Sequence, residues 1–591
     1  MENNKNFLFF ALIAILIVIG SNSLRTWLAP NPMPPTAVVT STPTQPLPHL
    51  QPIQQPLPSA ASLRERQQVI GESARVPFMT PSLSGSVNLK GGRLDDLTLN
   101  LYRETVDPAS PLVHLLSPAG SDAPHNAEYA DFGWLAESKD VAVPTSDTVW
   151  QSDAHDFSNT KPIKLTWASP QGLTFEREIA VDDHYMFTIT DHVTNKSVGP
   201  VQLYPYGAVT RQGNPVQTTS NILHEGPLGV LDGTLQEFKY KKLMDEGKKS
   251  MPSQGGWIGI TSKYWLVAMS PPNDEKLDAD FVFDGSGVTD PNQGHFQSDY
   301  RGNAVTVATG SSVTHVTHFF AGAKEISLLD KYATAYDIPR LDRAIDFGWF
   351  YFLTKPFLYL VTYLGKTLGS LGFAIMVFTV MLKLITLPLS LKSNHSMARM
   401  KKLQPEMNRI KERFADDKMR QQQETMELFK REKVNPMSGC APTLIQIPIF
   451  FALYKVLYVG IEMRQAPFYG WIHDMAAPDP TSWVNLFGLA SWNIPAQVSL
   501  NVLGFFTLYI PPAIHIGAWP LLMGCSMFLQ QRLSPQAMDK SQQRMFMFMP
   551  FLMTYILSNM PAGLVIYWTW SNLLSIAQQW FIMRRDARGK V

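Results

Sequence analysis

The sequence predicts a multi-pass α-helical membrane protein with a large all-β sandwich domain on the outer side and a cytoplasmic helical hairpin. Three observations predict it. The two halves differ in composition: residues 29–340 are polar, Gly-rich and strand-like, whereas 350–583 hold the long apolar runs and most of the methionines. One of those runs, Gly372 to Pro388, is long enough to cross a bilayer as a helix, yet carries a lysine, Lys383. Between the runs lies one strongly basic loop, which the positive-inside bias assigns to the cytoplasm. Whole-chain averages conceal this division. A chain of 591 residues with 17% charged residues and a net charge of +1, at a mean hydropathy of −0.06, would suit a soluble protein.

The N-terminus has Lys5 followed by the apolar run Phe7 to Gly20, the pattern of a secretory signal. No small-x-small cleavage site follows, and Trp27 can anchor at the interface. Residues 1–28 are therefore expected to be an uncleaved signal-anchor helix with a cytoplasmic N-terminus. Residues 29–72 are rich in Pro and Gln, with Pro30, Pro32, Pro34, Pro35, Pro43, Pro46, Pro48, Pro52, Pro56 and Pro58. That composition cannot pack a core and makes a semi-extended tether.

Residues 73–338 alternate short β-rich runs with turn residues, as in Gly172 to Val181, Tyr185 to Val193 and Trp257 to Met269. Many short strands without helical periods predict a large β-sandwich. Its histidines (His114, His125, His155, His184, His192, His224, His295, His315, His318) are scattered, with no metal-binding or zinc-protease spacing. Cys440 and Cys525, the two cysteines, fall beside or within apolar runs, so disulfides say nothing of the compartment.

Residues 339–368 are densely aromatic and interrupted by Lys355 and Lys366, which suits a helix lying in the interface. Membrane spans are expected over 369–388, 439–461, 517–532, 546–560 and 562–583. With the anchor these make six, and both chain termini are cytoplasmic. The segment 462–516 carries a single basic residue, Arg464, and reads as an outer loop with interfacial stretches; a hidden extra pair of spans is the alternative. Arg532, Lys540 and Arg544 mark 533–545 as an inner loop, and Arg584, Arg585, Arg588 and Lys590 do the same for 584–591.

The basic loop, 389–438, shows Met400, Leu403, Met407, Ile410 and Phe414 at steps of three and four, then Asp416-Asp417, then Met419, Met426 and Phe429. This predicts two antiparallel helices, with Pro405 bending the first. Arg399, Lys401, Lys402, Arg409, Lys411 and Arg413, with Asp416 and Asp417 at the turn, are its candidate partner-docking residues. The net charge leaves no strongly basic surface elsewhere, which argues against specific nucleic-acid recognition.

Lys383 is the chief candidate for a functional residue. A lysine within a membrane helix costs roughly 2.5–3.5 kcal/mol on insertion scales, so such a charge faces a wet cavity or a partner. It lies about 13 Å before Lys392 along a helix axis, so snorkelling alone carries it only part of the way to the interface.

The strings Asn435-Pro-Met-Ser-Gly-Cys-Ala-Pro-Thr-Leu-Ile-Gln-Ile-Pro448, Arg464-Gln-Ala-Pro-Phe468, Trp471-Ile-His-Asp474, Pro550 in its Met/Phe-rich helix, and Pro561-Ala-Gly-Leu-Val-Ile-Tyr567 with Ser571-Asn572 resemble the YidC membrane protein insertases. The anchor, tether and β domain resemble the Gram-negative branch. The resemblance implies a periplasmic β-supersandwich and a five-helix core bundle plus the anchor, in the bacterial inner membrane. It further implies a hydrophilic groove marked by a basic residue, more often arginine, where Lys383 stands. Thr379, Gln446, Trp568 and Ser571 would share that groove. Implied partners are nascent membrane proteins, the Sec translocon with its accessory SecD/SecF complex, the ribosome, the signal-recognition-particle receptor and the phospholipid bilayer. No catalytic residue, metal or cofactor is expected, and no nucleotide-binding loop G-x-x-x-x-G-K-[ST] occurs. The alternatives are a secondary transporter with an intramembrane Lys site, or a membrane-tethered periplasmic carbohydrate-binding protein. The Met-rich stretch Met545 to Met549 offers either an adaptable client surface or ordinary packing.

Overall fold

The computed structural model describes residues 64–587, apart from 122–125, 214–222, 287, 289–292, 433, 435–440, 490–497, 503–505, 511–515 and 534–539. The expected anchor over 1–28, nearly all of the tether and the end of the tail lie outside the described residues. The tether stops short of residue 72. Helix α1 (Arg66–Ile70) buries Arg66 and Val69, and Arg66 pairs with Asp96 and donates to the Leu116 carbonyl. A buried arginine with two partners fixes this segment to the β domain.

That domain consists of two antiparallel sheets, of ten and nine strands among the described residues. In the first, Val201–Gln212 pairs with Glu128–Ala136 on one side and His295–Gly302 on the other. In the second, Ser312–Ala323 runs between Trp265–Ser270 and Met186–Asn195. Leu173–Val181 alternates buried and half-buried residues along its whole length, as a strand covered on one face must. Gly226–Leu231 and Trp257–Thr261 are buried at every position, so both of their faces are covered. Aromatic rings close the space between sheets: Phe132 meets Phe319 edge-on at 5.5 Å, and Phe78 meets Phe187 at 5.6 Å.

Most charges buried in this domain have a charged partner. Arg177, 1% exposed, pairs with Asp191 at 2.7 Å and donates to the Phe132 carbonyl of the opposite sheet at 2.8 Å. Arg93 pairs with Asp131 at 2.7 Å. Lys324, held by the Thr261 hydroxyl and the Ser262 and Ala344 carbonyls, and Asp299 are exceptions. Gln297 donates to Asp299 Oδ2 at 2.7 Å, whereas Oδ1 has no hydrogen-bond partner among the described residues. Burial pushes this carboxyl up to about 7. Among the described residues no group of His, Cys, Asp and Glu is placed to hold a metal.

Helices α2 (Tyr240–Glu246) and α3 (Ile326–Ala335) belong to this half. The helical half follows, with α4 (Tyr351–Leu368), α5 (Leu371–Arg413), α6 (Lys418–Arg431), α7 (Ala441–Val459), α8 (Ala518–Leu533), α9 (Lys540–Leu557) and α10 (Ala562–Ala587). Gly369, at φ 69°, ends α4 in the left-handed conformation that glycine adopts freely. Ser370 then caps α5 by accepting from the Phe373 N–H.

The expected span over 369–388 and the first arm of the expected hairpin over 389–438 lie on one continuous helix. Helix α5 is one element of 43 residues, about 65 Å long, and its second half is the first arm of the hairpin. It continues through Pro388 and Pro405. Each proline removes one helical donor, a local loss that the surrounding turns outlast. Asp417 caps α6 by accepting from the Arg420 N–H at 3.0 Å, so the acidic pair does mark the turn. Among the described residues α5 is the one helix both long and apolar enough to cross a membrane. Shorter apolar stretches occupy Leu444–Val459 and Phe546–Leu557.

Within 462–516 the described residues show no membrane-length helix where the alternative of an extra pair of spans would place one. Val498–Val502 and Phe506–Ile510 form an antiparallel hairpin, and five-residue strands reach about 17 Å against a hydrocarbon core of about 30 Å. Asp479 ties this loop down, accepting from Trp471 Nε1 at 3.0 Å and from the Trp519 N–H at the start of α8 at 2.8 Å.

The two halves meet in a mixed polar and aromatic contact. Gln465, after α7, donates to the Arg103 carbonyl at 2.9 Å. Arg464 lies 5.3 Å from the Trp265 ring, and Lys263 lies 3.9 Å from the ring of Tyr458 on α7. Lys355 of α4 bridges Asp330 and Asp342 at 2.9 and 2.7 Å.

Candidate functional site

Two polar ladders line a cavity of about 360 Å³. On α5 the lining residues are Lys383, Thr386, Ser390, Ser393 and Asn394; on α10 they are Ser571, Asn572, Ser575, Gln578 and Gln579. Steps of three and four keep each set on one helical face. The ladders face each other because α10 packs against α5. Helix α7 adds Ile445, Gln446 and Phe450, and α8 adds Met527 and Gln530. Tyr567 and Trp568 complete the wall.

The polar groups are largely tied to the protein itself. Gln446 Nε2 donates to the Tyr567 hydroxyl at 2.8 Å. Asn572 Nδ2 donates to Ser526 Oγ at 3.0 Å. The hydroxyls of Thr386, Ser390 and Ser575 donate to the carbonyls four residues earlier, at 2.9, 3.1 and 2.9 Å. Their remaining lone pairs face outward from the helix. Lys383 Nζ donates across to Ser575 Oγ at 2.9 Å. No carboxylate stands among the described lining residues, and Lys383 is their single charge.

Such a chamber can solvate a polar chain within an apolar slab. It offers hydroxyl and amide acceptors to N–H groups, and one cation to an anionic group. Trp568, edge-on to Phe450 at 4.8 Å, supplies an apolar flank.

Comparison with known proteins decides the family. The model of the 60 kDa inner membrane protein family matches residues 363–589, and that of the YidC periplasmic domain matches 75–360. The membrane protein insertase YidC of Methylobacterium radiotolerans is 47% identical over 532 residues, covering 88% of this chain and 82% of that protein. The chain belongs to the YidC family. Its counterpart in Rhizobium meliloti, also named membrane protein insertase YidC, is 43% identical over 600 residues, covering 99% of this chain and 96% of that protein. A crystal structure of an active YidC insertase, with the first transmembrane domain resolved, covers 86% of this chain and 93% of its own at 16% identity and a TM-score of 0.35. Members of this family are inner-membrane proteins.

Four of the five groove candidates come together: Lys383, Gln446, Trp568 and Ser571 all line the cavity. Thr379 does not. It is 1% exposed, with its hydroxyl donating to the Ile375 carbonyl at 2.6 Å. One turn before Lys383, α5 is already packed, Phe378 lying edge-on to Phe357 of α4 at 4.9 Å. Ser575, Gln578, Thr386, Ser390 and Gln530 were missed. The signal was present: serine, asparagine and glutamine recur at steps of three and four from Ser571 to Gln579 in an otherwise apolar helix.

None of the docking candidates lines the cavity. Arg399, Lys401, Lys402, Arg409 and Arg413 are exposed on the second half of α5, Lys411 is half-buried, and Asp416 and Asp417 are exposed at the turn. Arg431 of α6 joins the two arms through Glu406 at 3.1 Å. In the Met-rich stretch of α9, Met547 and Phe548 are exposed, and none of the residues 546–549 lines the cavity.

Proposed function

We propose that the chain is a membrane protein insertase and chaperone of the bacterial inner membrane. Its cavity receives the polar segment of a nascent membrane protein while the apolar segment moves into lipid. The observation that carries this reading is the lone cation in a polar chamber without carboxylates. An unpaired backbone polar group in hydrocarbon costs several kcal/mol. A hydrated chamber part-way through the slab shortens the apolar path, and Lys383 attracts acidic groups of the segment being moved. Burial of the client's apolar segment in lipid supplies the driving force without nucleotide hydrolysis.

The proposed topology has six spans, both termini in the cytoplasm and the β domain in the periplasm. The basic arms of α5 and α6 would dock the ribosome, the signal-recognition-particle receptor or the Sec translocon. The β domain would meet envelope partners such as the SecD/SecF complex. The exposed charges from Arg399 to Arg413 support the first assignment. The test is depletion of the protein in its host, followed by scoring of single-span and double-span clients by protease protection. Loss of their insertion is expected. Unimpaired insertion of both, with loss of a small-molecule flux instead, would favour the transporter.

A further inference from the structure

Lys383 has a four-carbon stem whose ammonium can swing widely or snorkel out of an apolar layer. In this structure it is held from the opposite helix. Its Nζ donates to Ser575 Oγ at 2.9 Å, while Ser575 Oγ donates to the Ser571 carbonyl at 2.9 Å. A hydroxyl has one proton and two lone pairs. With the proton committed to Ser571, the oxygen presents a lone pair to the amine. Its direction is set by the backbone of α10 rather than by a free rotor.

The chemistry of this holder matters as much as its position. A carboxylate at 575 would grip the amine more strongly, but it would also cancel the charge. Serine fixes the direction of Nζ and leaves the whole positive charge available to a guest. A hydrophobic residue there would leave the amine to find another acceptor along its stem.

We propose that Ser575 is the positioning residue for Lys383, a neutral acceptor that holds the ammonium in the cavity without neutralising it. The proposal rests on the insertase reading of the cavity. It predicts a dependence on client charge that a purely structural serine would lack.

The experiment compares full-length Ser575→Ala, Ser575→Asp, Ser575→Thr, Lys383→Ala and the double variant Lys383→Ala/Ser575→Ala in a depletion strain, with membrane levels matched by blotting. Two single-span clients differ only in an acidic or a neutral translocated tail. Loss of a hydrogen bond to a charged group predicts that Ser575→Ala lowers insertion of the acidic client about tenfold more than that of the neutral one. Ser575→Asp falls as far as Lys383→Ala, Ser575→Thr recovers most of the acidic-client insertion, and the double variant is no worse than Lys383→Ala. A second measurement needs no client: reductive methylation of Lys383 in membranes, read by peptide mass spectrometry, rises in Ser575→Ala and returns in Ser575→Thr. Ser575→Ala matching wild type in both measurements, while Lys383→Ala loses the acidic client, would overturn the proposal and spare the cavity reading. Full insertion of the acidic client by Lys383→Ala would overturn the cavity reading itself.

Discussion

The β domain and the helical cavity both bury cations, and the arginines Arg177 and Arg93 of the one are held differently from the cavity lysine of the other. Arg177 and Arg93 are buried in the β domain with Asp191 and Asp131 at 2.7 Å. Lys383 faces a hydroxyl, with no carboxylate among the described residues of its wall. A completed ion pair is a permanent part of a fold, because removing either partner strands the other. A cation held only by neutral oxygens retains an electrostatic demand that an incoming group can meet. The difference separates a domain built to stay shut from a chamber built to receive.

Breaking the closed side of the comparison should have the largest effect. Arg177→Met leaves Asp191 buried without its charge partner and is expected to cost about 3–5 kcal/mol. The measurement is urea-dependent proteolysis of the full-length protein in detergent. An unchanged midpoint would refute the contrast.

Reversing the sign on the open side comes next. Lys383→Glu should lower insertion of acidic-tailed clients by about tenfold or more, the worth of a hydrogen bond to a charged group. Lys383→Arg, which keeps the charge, should retain most of it. Proteolytic stability should change little, since no ion pair is broken. Equal insertion by Lys383→Glu and wild type would remove the cavity from the mechanism.

Asp299 sharpens the comparison from within the β domain, where one of its carboxylate oxygens is buried without a hydrogen-bond partner among the described residues. Burial raises its folded pKa to about 7, above the ordinary carboxylate value of 3.8. The folded state therefore holds a proton that the unfolded state releases, and this group's penalty grows as pH rises from about 4 to 7. Asp299→Asn should stabilise the protein by about 1–2 kcal/mol at pH 7.5, with the gain shrinking toward pH 4. Thermal melts at several pH values check it. A gain that grew on acidification would contradict the assignment.

The smallest effect is expected at the hairpin. Arg431→Ala removes an exposed pair with Glu406, worth less than about 1 kcal/mol. The melting temperature of the full-length protein should barely move, and a large drop would show that the arms are held by this contact.

Strands and helices were legible because their periods are written in single residues. Leu173 to Val181 alternates, and the hairpin shows its seam and its Asp416-Asp417 turn. The exceptional lysine was legible too, since a charge in an apolar run needs no partner in order to be noticed. What stayed hidden depended on which helix stands opposite. Ser575 is 192 residues from Lys383, and periodicity reveals a polar face without revealing what it confronts. Thr379 failed for a related reason: one turn of helix is enough to pass from chamber to packed layer, and a local pattern does not say where the chamber ends. The continuity of α5 was obscured by Pro388, at which the expected span ends although the helix runs through it.

That continuity gives the molecule a lever. From Lys383 to Arg413 the helix is about 45 Å long at 1.5 Å per residue, unbroken from the chamber wall to the hairpin tip. A tilt of about 5° pivoting at the wall would sweep the tip by about 4 Å over such an arm. Read in the other direction, a small pull on the tip becomes a fine adjustment of the lysine, geared down along a single rod. Whatever grips the arm thereby has a hand on the charge.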